Sequence, residues 1–281
     1  MFSVRTGVSA DYAQIEHFLE KITRLVLRVP WEQLPAVVAQ HSFFLCMRDR
    51  DLLCVCGVFI EPATVAQIRV FGLDDTWALP DVLPRLLPVI AASMRAKKVD
   101  TLVFIGVENW LIDGLLAHGF HLENRVITLQ KTDFGVPSAG NAGVRLVPVS
   151  PADFAAIVAI DRAAFAPVWQ CTQESLTRIY ADLPYFVAAQ VDGRIVGYAY
   201  ANLIGRHGHL SRLAVYPQWQ GRQIGVRLLA DVIRFCRERR VFGITLNTQQ
   251  DNHRSRRLYE WFGFKSLGVE AQVLFREIPA P

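Results

Sequence analysis

The chain has 281 residues, of which 52% are hydrophobic and 20% are charged, so it is long enough for two globular domains and too apolar for a disordered protein. Its 30 lysines and arginines against 26 aspartates and glutamates leave a net charge of +4, too small an excess to indicate a nucleic-acid partner. The richest apolar runs have only the length of strands, and residues 1–5 carry no export signal, so we expect a cytoplasmic protein without a membrane span.

A short pattern near the N-terminus occurs again in the middle of the chain, which indicates an internal repeat. Residues 8–11 (Val-Ser-Ala-Asp) resemble residues 149–153 (Val-Ser-Pro-Ala-Asp), and their aspartates are 142 positions apart (153 − 11). A helical segment runs into Gly-Phe at Gly119 and again at Gly263, 144 positions apart (263 − 119). The agreement between the two offsets predicts a duplicated domain.

The first half contains a strongly apolar stretch at residues 53–60. Cys54 and Cys56 lie in it, and alternate residues of a strand face one side, so we predict that both thiols are buried. The five cysteines are odd in number and lack zinc-type spacing, which predicts no metal and no disulfides.

The segment after a predicted strand at 66–71 lacks any glycine pattern suited to phosphate. Asp74 and Asp75 would repel a phosphate group, and the three prolines within residues 80–88 disfavour a clean helix start.

The two halves are separated by a segment without hydrophobic periodicity. It is rich in glycine, proline, serine and asparagine, a composition typical of linkers. We therefore predict domains at 1–134 and 143–281, joined by a linker at 135–142.

The second half alternates between helical and strand patterns. Asp192-Gly193 is a strong hairpin signal, so the strands on either side of it are predicted to pair as antiparallel neighbours. The order of the elements predicts an α+β domain around one sheet. The predicted helices are 150–165, 172–182, 224–239 and 251–262, and the predicted strands are 185–191, 194–203, 207–216, 241–248 and 269–277.

One loop of the second half has the pattern of a phosphate site. Residues 217–226 leave a strand through a proline and enter a long helix through Gly221 and Gly225. The first N–H groups of a helix are unpaired, so this turn can take up phosphate oxygens, with Arg222 and Arg227 adding charge. The alternative is an ordinary turn between a strand and a helix.

The last predicted helix carries three polar residues on one stripe. Asn252 stands at its N-cap position, and Ser255 and Tyr259 follow at helical spacing. A tyrosine is protonated at neutral pH and can donate its proton to a thiolate leaving group. The alternative is that Tyr259 only packs against the core.

Taken together, these two segments resemble the acetyl-CoA-binding core of the GNAT N-acetyltransferase superfamily. The resemblance covers nearly all of the second half and implies two tandem GNAT-like domains, each a mixed, mostly antiparallel sheet flanked by helices. Gln223 departs from the family pattern, which has a glycine there, so the loop is either crowded by this side chain or left-handed at this residue. The implied acetyl-CoA-binding residues are Leu213, Ala214, Val215, Gln220, Gly221, Arg222, Gln223, Ile224, Gly225, Val226, Asn252 and Ser255.

The resemblance also implies an acid and a base for direct acetyl transfer to an amine. Tyr259 stands at the position of the acid that protonates the departing CoA thiolate. His209 stands where many members have a glutamate, and its ordinary pKa suits it to accept a proton, with His207 or a water as alternatives.

The first half looks like a GNAT fold that has lost its cofactor site. Leu115 stands at the position that matches Tyr259, four residues before the glycine (119 − 4), and it offers no acid. We expect this half to have a structural or substrate-shaping role.

The predicted protein is thus an acetyl-CoA-dependent N-acetyltransferase acting on a primary amine of a small molecule or peptide. Phe165, Trp169 and Tyr200 are candidates to line the acceptor site, with core packing as the alternative. The rival prediction is a non-catalytic acyl-CoA-binding or regulatory module.

Overall fold

The computed structural model describes residues 2–60 and 64–279. It divides into two compact units, of which the first combines Met1–Asn124 with Ala271–Pro281 and the second is Arg125–Glu270. Residues 125–134 of the first sequence repeat therefore lie in the second unit, and residues 271–279 of the second repeat lie in the first unit. Neither boundary between the units falls at residues 135–142. The linker between the two sequence repeats at 135–142 stays a prediction.

The first unit is a mixed sheet with helices packed on it. Its strands lie in the order β1-β3-β4-β5-β6-β13, with β5 and β6 parallel and the other neighbours antiparallel. The elements are β1 (Phe2–Thr6), α1 (Tyr12–Lys21), β2 (Arg24–Leu27), α2 (Leu34–Gln40), β3 (Ser42–Arg48), β4 (Asp51–Ile60), β5 (Val65–Leu73), α3 (Leu79–Ala96), β6 (Thr101–Gly106), α4 (Asn109–Leu116) and the second half of β13 (Lys265–Glu277).

Helix α3 corrects the expectation that the prolines of this stretch disfavour a clean helix. It runs for 18 residues with Pro80 in its first turn and Pro84 and Pro88 inside it. Pro80 is tolerated because the first N–H groups of a helix have no partner within it. The interior prolines are offset by an apolar face buried in the core, which includes Leu83 and Ile90.

The second unit has the same architecture, as the resemblance implied. Its strands lie in the order β7-β12-β11-β10-β9-β8, with only β11 and β12 parallel. The elements are β7 (His121–Lys131), β8 (Arg145–Pro148), α5 (Phe154–Ala164), α6 (Gln173–Tyr180), β9 (Tyr185–Val191), β10 (Arg194–Ile204), β11 (His207–Val215), α7 (Ile224–Glu238), β12 (Gly243–Gln249) and α8 (His253–Trp261). The predicted hairpin at Asp192-Gly193 is confirmed, with both residues in left-handed backbone.

The repeated motifs have the same structural roles in both units. Asp11 accepts a hydrogen bond from the backbone N–H of Val8 at 2.8 Å, and Asp153 accepts one from Ser150 at 2.8 Å. Gly119 and Gly263 both follow a helix with positive φ, as C-terminal glycines do. The chain is thus an α+β protein of two tandem domains of one fold.

The cysteine thiols are all free, and Cys54 and Cys56 are fully buried in the core of the first unit, as predicted. Among the described residues, no cluster of three or more potential ligands could hold a metal ion. The described helices include none with the length and apolar character to cross a membrane.

Candidate active site

The sheet of the second unit opens at its centre, between its two parallel strands. β11 and β12 are paired only from His207 opposite Gly243 to Leu210 opposite Leu246. A bulge at Ser211 then shifts the register of β11 against β10. Within the described part of the chain, no strand pairs with β11 on this side after Leu210, and two cavities lie along this part of β11.

The larger cavity has a volume of about 440 Å³ and lies between β11, the start of α7 and the start of α8. It brings together most of the residues predicted to bind acetyl-CoA. Those lining it are Leu213, Ala214, Val215, Gln220, Ile224, Gly225, Val226, Asn252 and Ser255. The predicted residues Gly221, Arg222 and Gln223 lie in the adjoining loop and do not line this cavity.

The loop before α7 turns through two residues with left-handed backbone. Gly221 has φ +82° and Gln223 has φ +58°, so of the two alternatives for Gln223 the structure has the left-handed one. The guanidinium of Arg222 stacks on the ring of Trp219, with 4.6 Å between its carbon and the ring centroid. Gln220 donates to the backbone oxygen of Val215 at 3.0 Å, which ties the loop to β11.

Arg254 is a cavity residue that the list of predicted site residues does not contain. It lines the larger cavity and donates a hydrogen bond to the side-chain oxygen of Gln220. Its position two residues after the N-cap Asn252, which lines the same cavity, is the sequence signal that could have identified it. A cation there suits a ligand with phosphate groups.

Helix α8 presents the predicted polar stripe to the smaller cavity, which has a volume of about 180 Å³. Asn252, Ser255 and Tyr259 all line it. Asn252 caps the helix by accepting from the backbone N–H of Ser255 at 3.1 Å, as predicted. Tyr259 is nearly fully buried, and burial raises its pKa to about 12, so the phenol is protonated throughout the physiological range.

His209 lines neither of these two cavities. Its Nδ1 lies 2.9 Å from the hydroxyl of Thr245, and burial lowers its pKa below the ordinary value of 6.5. Thr245 and Asn247 are two residues apart on β12 and share a face, and Asn247 lines the smaller cavity. His209 thus stands two positions before the cavity residue Ser211 on β11, beside Thr245, and its role as a base stays a prediction.

A buried ion pair beneath the smaller cavity was missed by the sequence analysis. Asp161 of α5 is fully buried and accepts from Nε and Nη2 of Arg212 at 2.6 and 2.9 Å. It also accepts from the hydroxyl of Tyr198 and from the backbone N–H of Cys171 at 2.7 Å. Since Asp161 and Arg212 are 51 residues apart, no local pattern connects them.

Arg212 also holds the segment between α5 and α6 against the cavities. Its guanidinium carbon lies 4.2 Å from the ring centroid of Phe165, and it donates to the backbone oxygen of Trp169. Phe165 lines both cavities and Trp169 lines the smaller one, whereas Tyr200 is buried in the core beside them. Two of the three acceptor-site candidates are therefore placed at a cavity.

The first unit differs at the equivalent opening, because a strand fills it. With the offset of 142, the residues of β5 that match Arg212–Val215 are Val70–Leu73 (215 − 142 = 73). These are paired with β2, from Arg24 opposite Leu73 to Leu27 opposite Val70. Arg28 extends this contact through an ion pair of 2.6 Å with Glu108.

Comparison with known proteins agrees with this fold. Residues 154–264 match the family model described as the acetyltransferase (GNAT) family. A Bacillus subtilis protein assigned as a ribosomal protein bS18-alanine N-acetyltransferase is 23% identical over 112 residues, which are 39% of this chain and 73% of that protein. The N-alpha-acetyltransferase RimI of Mycobacterium tuberculosis is 34% identical over 89 residues, 30% of this chain and 54% of that protein.

The whole chain also has a counterpart among solved structures. The tandem GNAT protein from the clavulanic acid biosynthesis pathway superposes with a TM-score of 0.66 over 99% of both chains. The identity is 14%, so this similarity concerns the fold.

Proposed function

We propose that the protein is an acetyl-CoA-dependent N-acetyltransferase acting on a primary amine, because residues 154–264 match the acetyltransferase (GNAT) family model. One observation carries this proposal. The two cavities share Phe165, Leu213, Asn252 and Ser255 in their walls, and the smaller one is also lined by Tyr259. A phosphate-bearing thioester could lie along this edge of β11 with its sulfur near a proton donor.

The residues of the larger cavity fit the non-reacting part of acetyl-CoA. The N–H groups at the start of α7 and the guanidinium of Arg254 suit the pyrophosphate. The unpaired edge of β11 at Leu213 and Val215 suits the amides of the pantetheine arm, which would extend the sheet as an added strand. When bound, acetyl-CoA supplies the activated acetyl group as a thioester.

In the proposed reaction the amine nitrogen attacks the thioester carbonyl, and the carbon–sulfur bond breaks. A base accepts the proton of the attacking amine. We propose that this base is His209, which would receive the proton through a water molecule. Tyr259 donates a hydrogen bond to the departing thiolate. Its pKa of about 12 lies above that of an ordinary thiol, about 8.5, so hydrogen-bond donation is favoured over complete proton transfer.

For the acceptor we propose a small-molecule amine or the N-terminal amine of a peptide. The names of the two relatives refer to an alanine of a ribosomal protein and to N-alpha-acetylation. Both names support a peptide as the acceptor. The smaller cavity, with Phe165 and Trp169 in its wall, has room for one short side chain beside the amine. Location in the cytoplasm and the lack of a nucleic-acid partner stay predictions from the sequence.

The proposal is tested by measuring release of the CoA thiol from acetyl-CoA over a panel of amines and short peptides with a free N-terminal alanine. Turnover with at least one acceptor, with the acetyl group located on its nitrogen by mass spectrometry, would support the proposal. Tight binding of acetyl-CoA without turnover on any acceptor would favour the rival, a non-catalytic acyl-CoA-binding module.

We predict that the full chain binds one acetyl-CoA, because β2 occupies in the first unit the strand edge that is open in the second. Isothermal titration should give a stoichiometry of one per chain. Gly225→Leu should remove all binding, since a side chain at Gly225 would project into the larger cavity. A stoichiometry of two, or binding that persists in this variant, would place a site in the first unit.

We also predict that His209→Gln lowers kcat/KM by at least about 10-fold, because a positioned base is lost. Burial lowers the pKa of His209, so the wild-type rate should fall as the pH drops through that value and protonates the ring. This acidic limb should be missing in the variant. If the rate and its pH profile do not change, His209 is not the base, and the alternatives, His207 or a water, take its place.

A further inference from the structure

The segment predicted to be a linker lies against the loop that precedes α7. Gly140 has φ +75°, and a Cβ atom added to it would lie 2.7 Å from Cα of Arg227, so only a glycine permits this close approach. Ser138 accepts from the N–H of Gly140 at 3.1 Å and shapes the turn that makes the contact. The segment is therefore packed onto the first turn of the helix.

The next residue, Asn141, contacts two backbone carbonyl groups of the loop, those of Arg222 and Gln223. Its Nδ2 donates to the backbone oxygen of Arg222 at 3.0 Å, and its backbone N–H points to the oxygen of Gln223 at 3.5 Å. Its Oδ1 accepts from the N–H of Gly143 at 2.9 Å, which fixes the side chain in place. Both polar atoms of the Asn141 side chain thus have a partner, one in the loop and one in its own segment.

Gln223 needs such support because its backbone is left-handed, with φ +58° and ψ +18°. A residue with a Cβ atom is disfavoured in this region, whereas glycine adopts it freely. The carbonyl and N–H of a planar trans peptide point in opposite directions. A carbonyl of Arg222 that is held toward Asn141 therefore turns the N–H of Gln223 to the opposite side of the loop.

We infer that Asn141 is a positioning residue for acetyl-CoA, which fixes the loop with its N–H groups aimed at the ligand's pyrophosphate. The inference rests on the proposed function, because it assumes that acetyl-CoA is the ligand. It assigns to the segment between the repeats a role in cofactor affinity. The chemistry at the thioester lies beyond the loop, so Asn141 affects binding and not the rate of transfer.

The test is a double-mutant cycle on the full chain, with the Kd of acetyl-CoA measured by titration. Asn141→Ala should raise the Kd about 5- to 10-fold, with kcat at saturation within about 2-fold of wild type. Gln223→Gly supplies the second background, in which the added Asn141→Ala should change the Kd by less than about 2-fold, because glycine adopts the left-handed backbone without help. In the double variant the Kd should return to that of Gln223→Gly.

Ala142→Ser is the matched control, since Ala142 is an exposed residue of the same segment and the change leaves Asn141 and its contacts in place, and its Kd should not change. Thermal unfolding of each variant separates a loss of the fold from a loss of affinity. An unchanged Kd in Asn141→Ala, or equal effects of Asn141→Ala with Gln or Gly at position 223, would overturn the inference. Failure of the wild type to bind acetyl-CoA would instead overturn the proposed function, and this inference with it.

Discussion

Tyr259→Phe is expected to lower kcat by about 100-fold while leaving the Kd of acetyl-CoA within about 2-fold of wild type. The substitution removes only the hydroxyl group, and the ring keeps its packing against Phe264, whose centroid lies 5.9 Å away. The loss should therefore fall on the step in which the thiolate leaves. Steady-state thiol release at saturating acetyl-CoA, with binding measured separately, distinguishes the two effects.

The pH dependence gives an independent check of the same assignment. Burial raises the pKa of Tyr259 to about 12, so the wild-type enzyme should lose no activity through ionisation of this phenol between pH 6 and 10. An acceptor whose amine is already neutral at the assay pH should show the full effect of Tyr259→Phe, because no proton has to be removed from it before the attack. A kcat within about 3-fold of wild type would show that Tyr259 only packs.

Local patterns predicted much of the second unit, because they act over a few residues. The Asp192-Gly193 turn fixed the register of β9 and β10, and Asn252 caps α8 with its side chain as expected. The stripe of Asn252, Ser255 and Tyr259 needed only the helical period to place all three at one cavity. The departure at Gln223 was also readable, since a residue in a glycine position has few backbone options.

Contacts between distant residues were not predictable in the same way. The pairing of β2 with β5 joins residues 43 to 49 positions apart along the chain (70 − 27 = 43, 73 − 24 = 49), and no turn signal specifies it. The placement of residues 125–131 in the second unit and of residues 271–277 in the first is likewise not specified by any local pattern. The composition of residues 135–142 gave no sign that Asn141 and Gly140 are packed onto α7, because flexible linkers and tight glycine contacts use the same residues.

The largest effect on stability is expected at Asp161. Asp161→Ala leaves the guanidinium of Arg212 in a largely buried position without its partner, and the hydroxyl of Tyr198 and the N–H of Cys171 lose their acceptor. Removing one member of a buried ion pair costs about 3–5 kcal/mol. In a unit of this size such a loss lowers the Tm by roughly 10 °C.

The double variant Asp161→Ala with Arg212→Met separates the cost of an unpaired charge from the value of the pair itself. If the cost comes mainly from the buried unpaired guanidinium, replacing it with an apolar side chain should restore about half of the lost stability. Glu174→Ala is the surface control, since Glu174 is exposed and its 3.9 Å pair with Arg178 contributes little. A Tm for Asp161→Ala within about 2 °C of wild type would mean that water reaches this site and screens the charge.

Because the same guanidinium contacts Phe165 and Trp169, any variant that frees it should also raise the KM of the acceptor more than that of acetyl-CoA.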